Sequence, residues 1–582
     1  MNLKPSKHRR SLVDRFFNFV ERRSLGDRVL FHAVLIACVV AVLYVASTVS
    51  QEYSTDIPLS GSTITEGIIG TPRFVNPVLA ITRADHDVAA LIFDGLLTLN
   101  SEGELVPDVA ESVAVSDNGR TYTITLRQDE FFHDGTQLTA EDVAFTINLI
   151  QNPDLKSPLR GDWEGVAVTV TNEHELTLSL PEAYAPFNEN LTVGILPAHI
   201  WSPIAIEQLP FSEHNTSPIG SGLYEVNDIT FSDTGLITSY RLTASEFAPQ
   251  TPYVSTFNVR FFNTSEQLVQ ALSEGLITST ASLSTGVLLS LDLDGYTTYQ
   301  QPLPRTFSLF YNQNRSAAVR DKLVRSVLSD AIDKEQLVST VLGGFGIPTD
   351  SPVPPTFGTL QSTSSSSTRA EQPALDTDAT ALTETLRNAG WTRNDDGIFE
   401  KETDEGTATL SFTIATVNTD TFVQTAEYIQ SAWAELGIPV TIEQYEQTDL
   451  VQSIIRPRMF TILLFGTDVG RGLDLYPFWH SSQREDPGLN IAQYTNIDTD
   501  AYLTTLRTDT NTNERALALE AAVTILREEQ PATFLYTPTF AYVVADEVTI
   551  QLPVRMASPS DRFSTIAAWH SGNESLWPLF TD

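Results

Sequence analysis

From Val29 to Val49 the chain runs VLFHAVLIACVVAVLYVASTV, 21 residues without a formal charge. At 1.5 Å per residue such a helix spans roughly 30 Å, the thickness of a bilayer's hydrocarbon core, so a transmembrane helix is expected there. Just before it, Leu12, Val13, Phe16, Phe17 and Val20 share one helical face, with Arg15, Asn18 and Arg22 opposite. That stripe reads either as an amphipathic segment in the inner headgroup region or as a solvated linker. Further on the period changes. RTYTITLR (120–127) and HELTLSLP (174–181) alternate apolar and polar residues, which predicts half-buried strands. Thr139-Ala140-Glu141-Asp142 is a capping box opening an amphipathic helix with Val143, Phe145, Ile147 and Leu149. Residues 319–342 predict one or two helices ended by Gly343-Gly344, and 421–436 and 513–529 predict helices stopped by Gly437 and Pro531. Arg458 to Gly466 reads as a buried strand, and 354–379, with QSTSSSST at its centre, as a low-complexity surface loop.

The charge separates into two parts. Residues 1–28 hold eight basic and three acidic groups, a net of +5, while the whole 582-residue chain carries −38, which leaves −43 on the remaining 554 residues. The positive-inside rule keeps the basic arm (1–28) in the cytoplasm and puts everything beyond a short tether (50–55) outside the cell membrane. Two alternatives to an uncleaved anchor stand beside it. One is signal cleavage near Ala46-Ser47; the other is lipoprotein processing at Cys38, because Leu35-Ile36-Ala37-Cys38 resembles a lipobox. At roughly 150 residues per domain the length allows about four domain-sized units. The acidic balance argues against nucleic-acid binding, and a single cysteine excludes an intrachain disulfide or a Cys-rich metal site.

Chemistry motifs are sparse. The sequence contains no GxxxxGK[ST], HExxH, GxSxG or CxxC string. Gly343-Gly344-Phe345-Gly346 reads better as a turn than as a phosphate loop, and His133-Asp134-Gly135 as a strand-to-helix turn than as a base or metal ligand. The nine histidines show no i, i+4 pair. No catalytic residue, cofactor or metal-ligand set is expected, and the chain is not expected to be an enzyme.

A series of strings taken in order carries a resemblance. Phe93-Asp94-Gly95-Leu96-Leu97, LVPDVAES (105–112), TYTITLRQDEFFHDGTQLTAEDVAFT (121–146), GILPAHIW (194–201), SPIGSGLYEV (217–226) and LFYNQNRSAAVRDKLVRSVLSDAIDKEQLVSTVLGG (309–344) come first. Ala389-Gly390-Trp391, AEYIQSAWAELGIPVTIE (426–443), LYPFWHSSQ (475–483) and FLYTP (534–538) follow. Together, over about 62–582, they resemble the family 5 extracellular solute-binding proteins, the peptide receptors of ABC importers. The resemblance implies an α/β fold of two lobes, a type II periplasmic-binding-protein fold with an inserted extra domain, behind the N-terminal membrane helix (29–49). By order, lobe I takes 56–98, 216–304 and 535–582, the insertion 99–215, and lobe II 305–534.

The same resemblance implies a carboxylate in lobe II that anchors a peptide's amino end, in the loop after a buried strand and ahead of a proline. Asp474 is the first candidate and Asp468 the second, with Gly466 closing the strand that leads to them. Arg471 either pairs a ligand carboxylate or is a solvated loop arginine, and Trp479 either walls the pocket or packs beside Pro477. The expected function is a membrane-anchored extracytoplasmic receptor that captures peptides and delivers them to the permease subunits of an ABC transporter. The alternatives are a ligand-sensing ectodomain of the same fold, or a binder of a nickel complex, haem or an oligosaccharide.

Overall fold

The computed structural model of the protein describes residues 24–53, 55–357, 379–404 and 406–576. Most of the basic arm and the centre of the QSTSSSST loop, both singled out by sequence, lie outside these residues. The chain forms two compact units, one of residues 1–59 and 572–582 and the other of Ser60–Ser571.

The first unit contains helix α1 (Leu25–Tyr53, 29 residues) and a strand pair, Thr55–Pro58 antiparallel to Asn573–Leu576. Besides Gly26 and Asp27, the side chains of α1 are described from Val29 to Val45, and most of the large apolar ones are bare, Leu30, Ile36 and Leu43 being 63–65% exposed. Those 17 residues make about 26 Å of helix, and among the described residues no helix is long and apolar enough to cross a membrane.

The second unit begins with β1 (Ser62–Ile69). The alternating strings then form an antiparallel sheet of β2 (Ala110–Val115), β3 (Thr121–Leu126), β4 (Ala167–Asn172) and β5 (Glu175–Ser179), in the order β2-β3-β5-β4. Tyr122, Ile124 and Leu126 point inward from β3, as the period-two pattern requires. Helix α2 (Ala140–Gln151) starts at the expected capping box, with Asp142 Oδ2 accepting the Thr139 N–H at 2.9 Å.

The remaining strands are β6 (Tyr224–Phe231), β7 (Ile237–Ala244), β8 (Val254–Phe262), β9 (Ser279–Thr280), β10 (Tyr296–Pro302), β11 (Arg305–Tyr311), β12 (Phe412–Val417), β13 (Val440–Tyr445), β14 (Ile462–Asp468) and β15 (Ala532–Ala545). With β1 and the short Gly346–Pro348 they make a twelve-stranded sheet whose main path is β13-β12-β14-β11-β15-β9-β1-β8-β7-β6. β15 is the key element. Its first half pairs with β11 (Phe310 to Ala532, Phe307 to Tyr536), and its second half with β10 (Pro302 to Thr539, Tyr296 to Ala545). β10 and β11 are joined only through Leu303-Pro304, so the backbone passes from one half of the sheet to the other in two places.

The cores divide at the same place. One buried cluster draws on Ile64 through Leu303 and Phe540 through Trp569. On the other side, alternate residues of β11 feed two clusters, Leu309 and Tyr311 on one face and Phe310 on the other. A strand buried on both faces needs helices on both. Helices α3 (Lys322–Asp330), α4 (Lys334–Val341) and α5 (Asp420–Glu435) contribute to the first of these clusters, and α6 (Ile497–Thr508) and α7 (Thr512–Glu529) to the second. Sequence 319–342 therefore becomes more than one helix, and Gly343 and Gly344 take φ of +56° and +87° to end it.

Candidate functional site

β14 ends at Asp468, and the chain then closes a tight loop. Asp468 Oδ1 accepts the Gly470 N–H at 3.0 Å, and the Asp474 N–H donates to the Val469 carbonyl at 3.1 Å. The loop packs on the 3₁₀ helix Ala185–Thr192, and Gly472 is required there, because a Cβ would sit 2.2 Å from Glu189 Oε1 and 2.5 Å from Pro186 Cβ. The Arg471 N–H donates to Glu189 Oε2 at 3.0 Å, and Arg471 Nη2 donates to Asp561 Oδ2 at 2.7 Å. Asp561 is held in place by its own cap, accepting the Ala557 and Ser558 N–H groups at 2.6 and 3.1 Å. Segments that are 282 and 90 residues apart from Arg471 thus meet at one guanidinium and its backbone amide.

Burial governs the electrostatics of this surface. It pushes the Glu189 carboxyl up to about 7 against the pull of Arg471, and Glu189 Oε1 has no hydrogen-bond partner. Burial also raises Asp474. Opposing it are Arg507, with Nε 3.8 Å from Oδ2, the Tyr476 N–H at 3.1 Å, and the Tyr184 hydroxyl. Two cavities open along the surface. The larger, about 620 Å³, has one wall from residues 161–187 and another from Tyr476, Thr504, Arg507 and Thr508. The smaller, about 140 Å³, is bounded by Asp94, Asp108, Arg471 and Asp561 among others. Burial and the neighbouring acids Asp108 and Glu130 raise Asp94 well above the ordinary carboxylate range, and burial raises Asp108 to about 6.

The sequence-derived candidates separate on this geometry. Asp474 and Arg471 both lie on the surface just described, and Arg471 is a half-buried ion-paired side chain, not a solvated one. Asp468 is the last residue of β14, paired with Arg305 at 2.7 Å, both about two-fifths exposed. The strand itself runs Ile462–Asp468 instead of 458–466. Gly466 therefore lies inside it, opposite Phe307, whose ring fills the space a Cβ would need at 2.7 Å. Trp479 is 1% exposed and stacks on Phe310 with ring centroids 6.0 Å apart, so its indole is core packing and not a pocket wall. His133 serves the turn expected of it, with Nδ1 accepting the Gly220 N–H at 3.3 Å and Nε2 facing the Gly222 carbonyl at 2.9 Å. The sequence reading missed Tyr184, Glu189, Arg507 and Asp561. Their partners are remote in the chain, and the one local signal was the Ser558-to-Asp561 capping box.

The sequence profile described as "Bacterial extracellular solute-binding proteins, family 5 Middle" matches residues 104–513. The chain belongs to this family. This family 5 binding protein is 26% identical over 510 residues to the oligopeptide-binding protein AppA of Bacillus subtilis (strain 168), covering 85% of this chain and 89% of AppA. Among solved structures it resembles AppA in complex with a nonapeptide (TM-score 0.64, 24% identity, 89% of this chain and 100% of that one). It also resembles the periplasmic murein tripeptide-binding protein MppA in an unliganded open form (TM-score 0.72, 19% identity, 89% and 98%). A third neighbour is NikZ of Campylobacter jejuni in complex with Ni(L-His) (TM-score 0.65, 22% identity, 88% and 99%). All are two-lobed α/β family 5 folds, and the family 5 protein shares that architecture.

Proposed function

We propose that the protein is a membrane-tethered receptor that captures peptides outside the cytoplasm and passes them to the permease subunits of an ABC importer, binding without turnover. Residues 56–98, 216–304 and 535–582 act as lobe I, 99–215 as the insertion and 305–534 as lobe II, hinged where β10–β11 and β15 pass between the sheet halves. The observation that carries the reading is the 620 Å³ cavity where Tyr476 and α6 face residues 161–187, of a size that buries a small solute. AppA, an oligopeptide-binding protein solved around a nonapeptide, supports a peptide as that solute. The bare apolar side chains of α1 support a membrane anchor, since a contiguous exposed apolar helix calls for a lipid or protein cover. Tethering raises the receptor's effective concentration near its transporter.

The test is calorimetric titration of the detergent-solubilised full chain with peptides of three to nine residues, alongside alkaline extraction of membranes from expressing cells. Saturable binding with intact peptide recovered, and retention in the membrane pellet, are expected. Absence of binding across the set would remove the peptide reading. A nickel chelate is the second reading, favoured by the likeness to NikZ in complex with Ni(L-His). Among the described residues there is no cluster of three ligating side chains, so the metal would arrive with its own organic ligand.

A further inference from the structure

The arginines that face this surface are not equally committed. Arg471 is bound to Asp561 at 2.7 Å, and Arg515 donates from Nε to the Leu506 carbonyl at 3.0 Å. Arg507 differs. Its guanidinium carbon lies 5.1 Å from the Tyr184 ring centre and 4.6 Å from that of Tyr476, so the cation lies over two aromatic rings. Its nearest carboxylate, Asp474, is 3.8 Å away, beyond hydrogen-bond length. Among the described residues its N–H groups make no hydrogen bond, and one-third of the side chain is exposed on the cavity wall. Arg507 is the stronger of two cations beside Asp474, and Arg515 also faces that carboxyl.

A guanidinium seated over two aromatic rings on a cavity wall, with no hydrogen bond of its own, can take a carboxylate in bidentate fashion. The wall from residues 161–187 is of opposite character. It carries the exposed Asp162, Glu164 and Glu182 together with the buried Val166, Leu180 and Phe187. One wall therefore suits an anion and the other a cation, with apolar surface linking them.

We propose that Arg507 is the carboxylate-binding residue of this cavity, and that the cavity takes zwitterionic peptides with the carboxylate on Arg507 and a cationic group against Asp162, Glu164 and Glu182. This rests on the peptide-receptor reading and assigns the ligand's carboxylate end, for which Arg471 was one of two readings of that residue from sequence. The test uses the full chain in detergent and alanine–glycine peptides of three to nine residues, each as free acid and as C-terminal amide. The unaltered protein binds the acids about 10- to 100-fold more tightly than the amides, the range of a charge-assisted pair. Arg507→Gln weakens the acids by the same factor and leaves the amides unchanged, while Arg507→Lys restores part of the preference. Acids and amides binding equally to the unaltered protein would overturn the assignment and leave the peptide reading standing. So would Arg507→Gln weakening both forms alike. If no peptide binds in either form, both fail.

Discussion

Arg562 is 0% exposed, with Nη2 2.8 Å from Asp87 Oδ2 and 3.0 Å from Glu66 Oε1, and Nη1 2.9 Å from Asp87 Oδ1. The Tyr542 hydroxyl donates to Glu66 at 2.8 Å and Ser560 Oγ to Asp87 at 2.6 Å, so both carboxylates are saturated. Removing one partner of such a cluster leaves buried charge without compensation, which costs about 3–5 kcal/mol. Arg562→Met is therefore expected to lower the urea midpoint of the protein sharply. Arg562→Lys, whose single ammonium cannot bridge two carboxylates, falls in the same direction. An unchanged midpoint for Arg562→Met would show the cluster to be energetically idle. The string TITEGIIG sets the charge of Glu66 among apolar residues, a local signal the sequence reading did not single out. The partner, 496 residues away, was not legible, because nothing local encodes it. The site failed in the same way. Asp474 and Arg471 were picked out through the family resemblance, which places the anchoring loop between a strand and a proline, but Arg507 and Glu189 look like ordinary helix and loop residues until the chain is folded.

At the scale of elements, local rules worked where local chemistry decides. Asp142 shows both the reach and the limit of such rules. Its Oδ2 closes the expected capping box on Thr139, while Oδ1 accepts the Ala198 N–H at 2.8 Å and so ties GILPAHIW to the start of α2. Loss of a cap alone costs about 1 kcal/mol. Asp142→Ala also orphans the Ala198 amide and is expected to cost about 2–3 kcal/mol. Thr139→Ala, which spares that amide, should cost about half as much, with the pair compared in denaturant titrations monitored by far-UV dichroism. Equal losses would assign the whole effect to the cap. The misplaced start of β14 has a physical cause of the same kind. Arg458-Met459-Phe460 has strand-like apolarity, yet Arg458 takes φ +56°, and its guanidinium donates to the carbonyls of Ile455 and Gly488 at 2.7 Å and of Arg484 at 3.0 Å. A side chain that gathers three carbonyls turns the backbone before the strand can begin, and hydrophobic pattern does not register it.

For the molecule as a whole, the halves of the sheet share only the β10–β11 and β15 strands, so in the hinged receptor proposed above contacts away from those strands set the balance between an open and a closed form. Glu189 and Asp474 are both titratable among them, and Glu189 is the one burial lifts to about 7. Its carboxyl lies against Arg471, Asp561 and Asp474, with Gly470 and Gly472 closing over it, and burial there lifts it to about 7. With the interface separated, the same carboxyl returns to water and to the ordinary glutamate value near 4.5. Closure therefore takes up a proton between those two values. The interface is fully favoured below about 4.5 and loses stability as pH rises through about 7, by at most about 1.4 kcal/mol per pH unit. The Arg471 N–H bond survives protonation, since the carbonyl oxygen of the neutral acid still accepts it. In a Cys38→Ser background, spin labels at Asp233→Cys and Asp395→Cys, exposed positions on opposite halves, report the separation by double electron–electron resonance. Lowering pH from 8 to 5.5 is expected to shift the distance distribution toward the shorter population. Glu189→Gln, permanently neutral and nearly isosteric, should hold that shorter population at both values. The same pH shift persisting in Glu189→Gln would move the proton to another group, and no shift in the unaltered protein would mean that the loop around Arg471 stays seated whatever Glu189 carries.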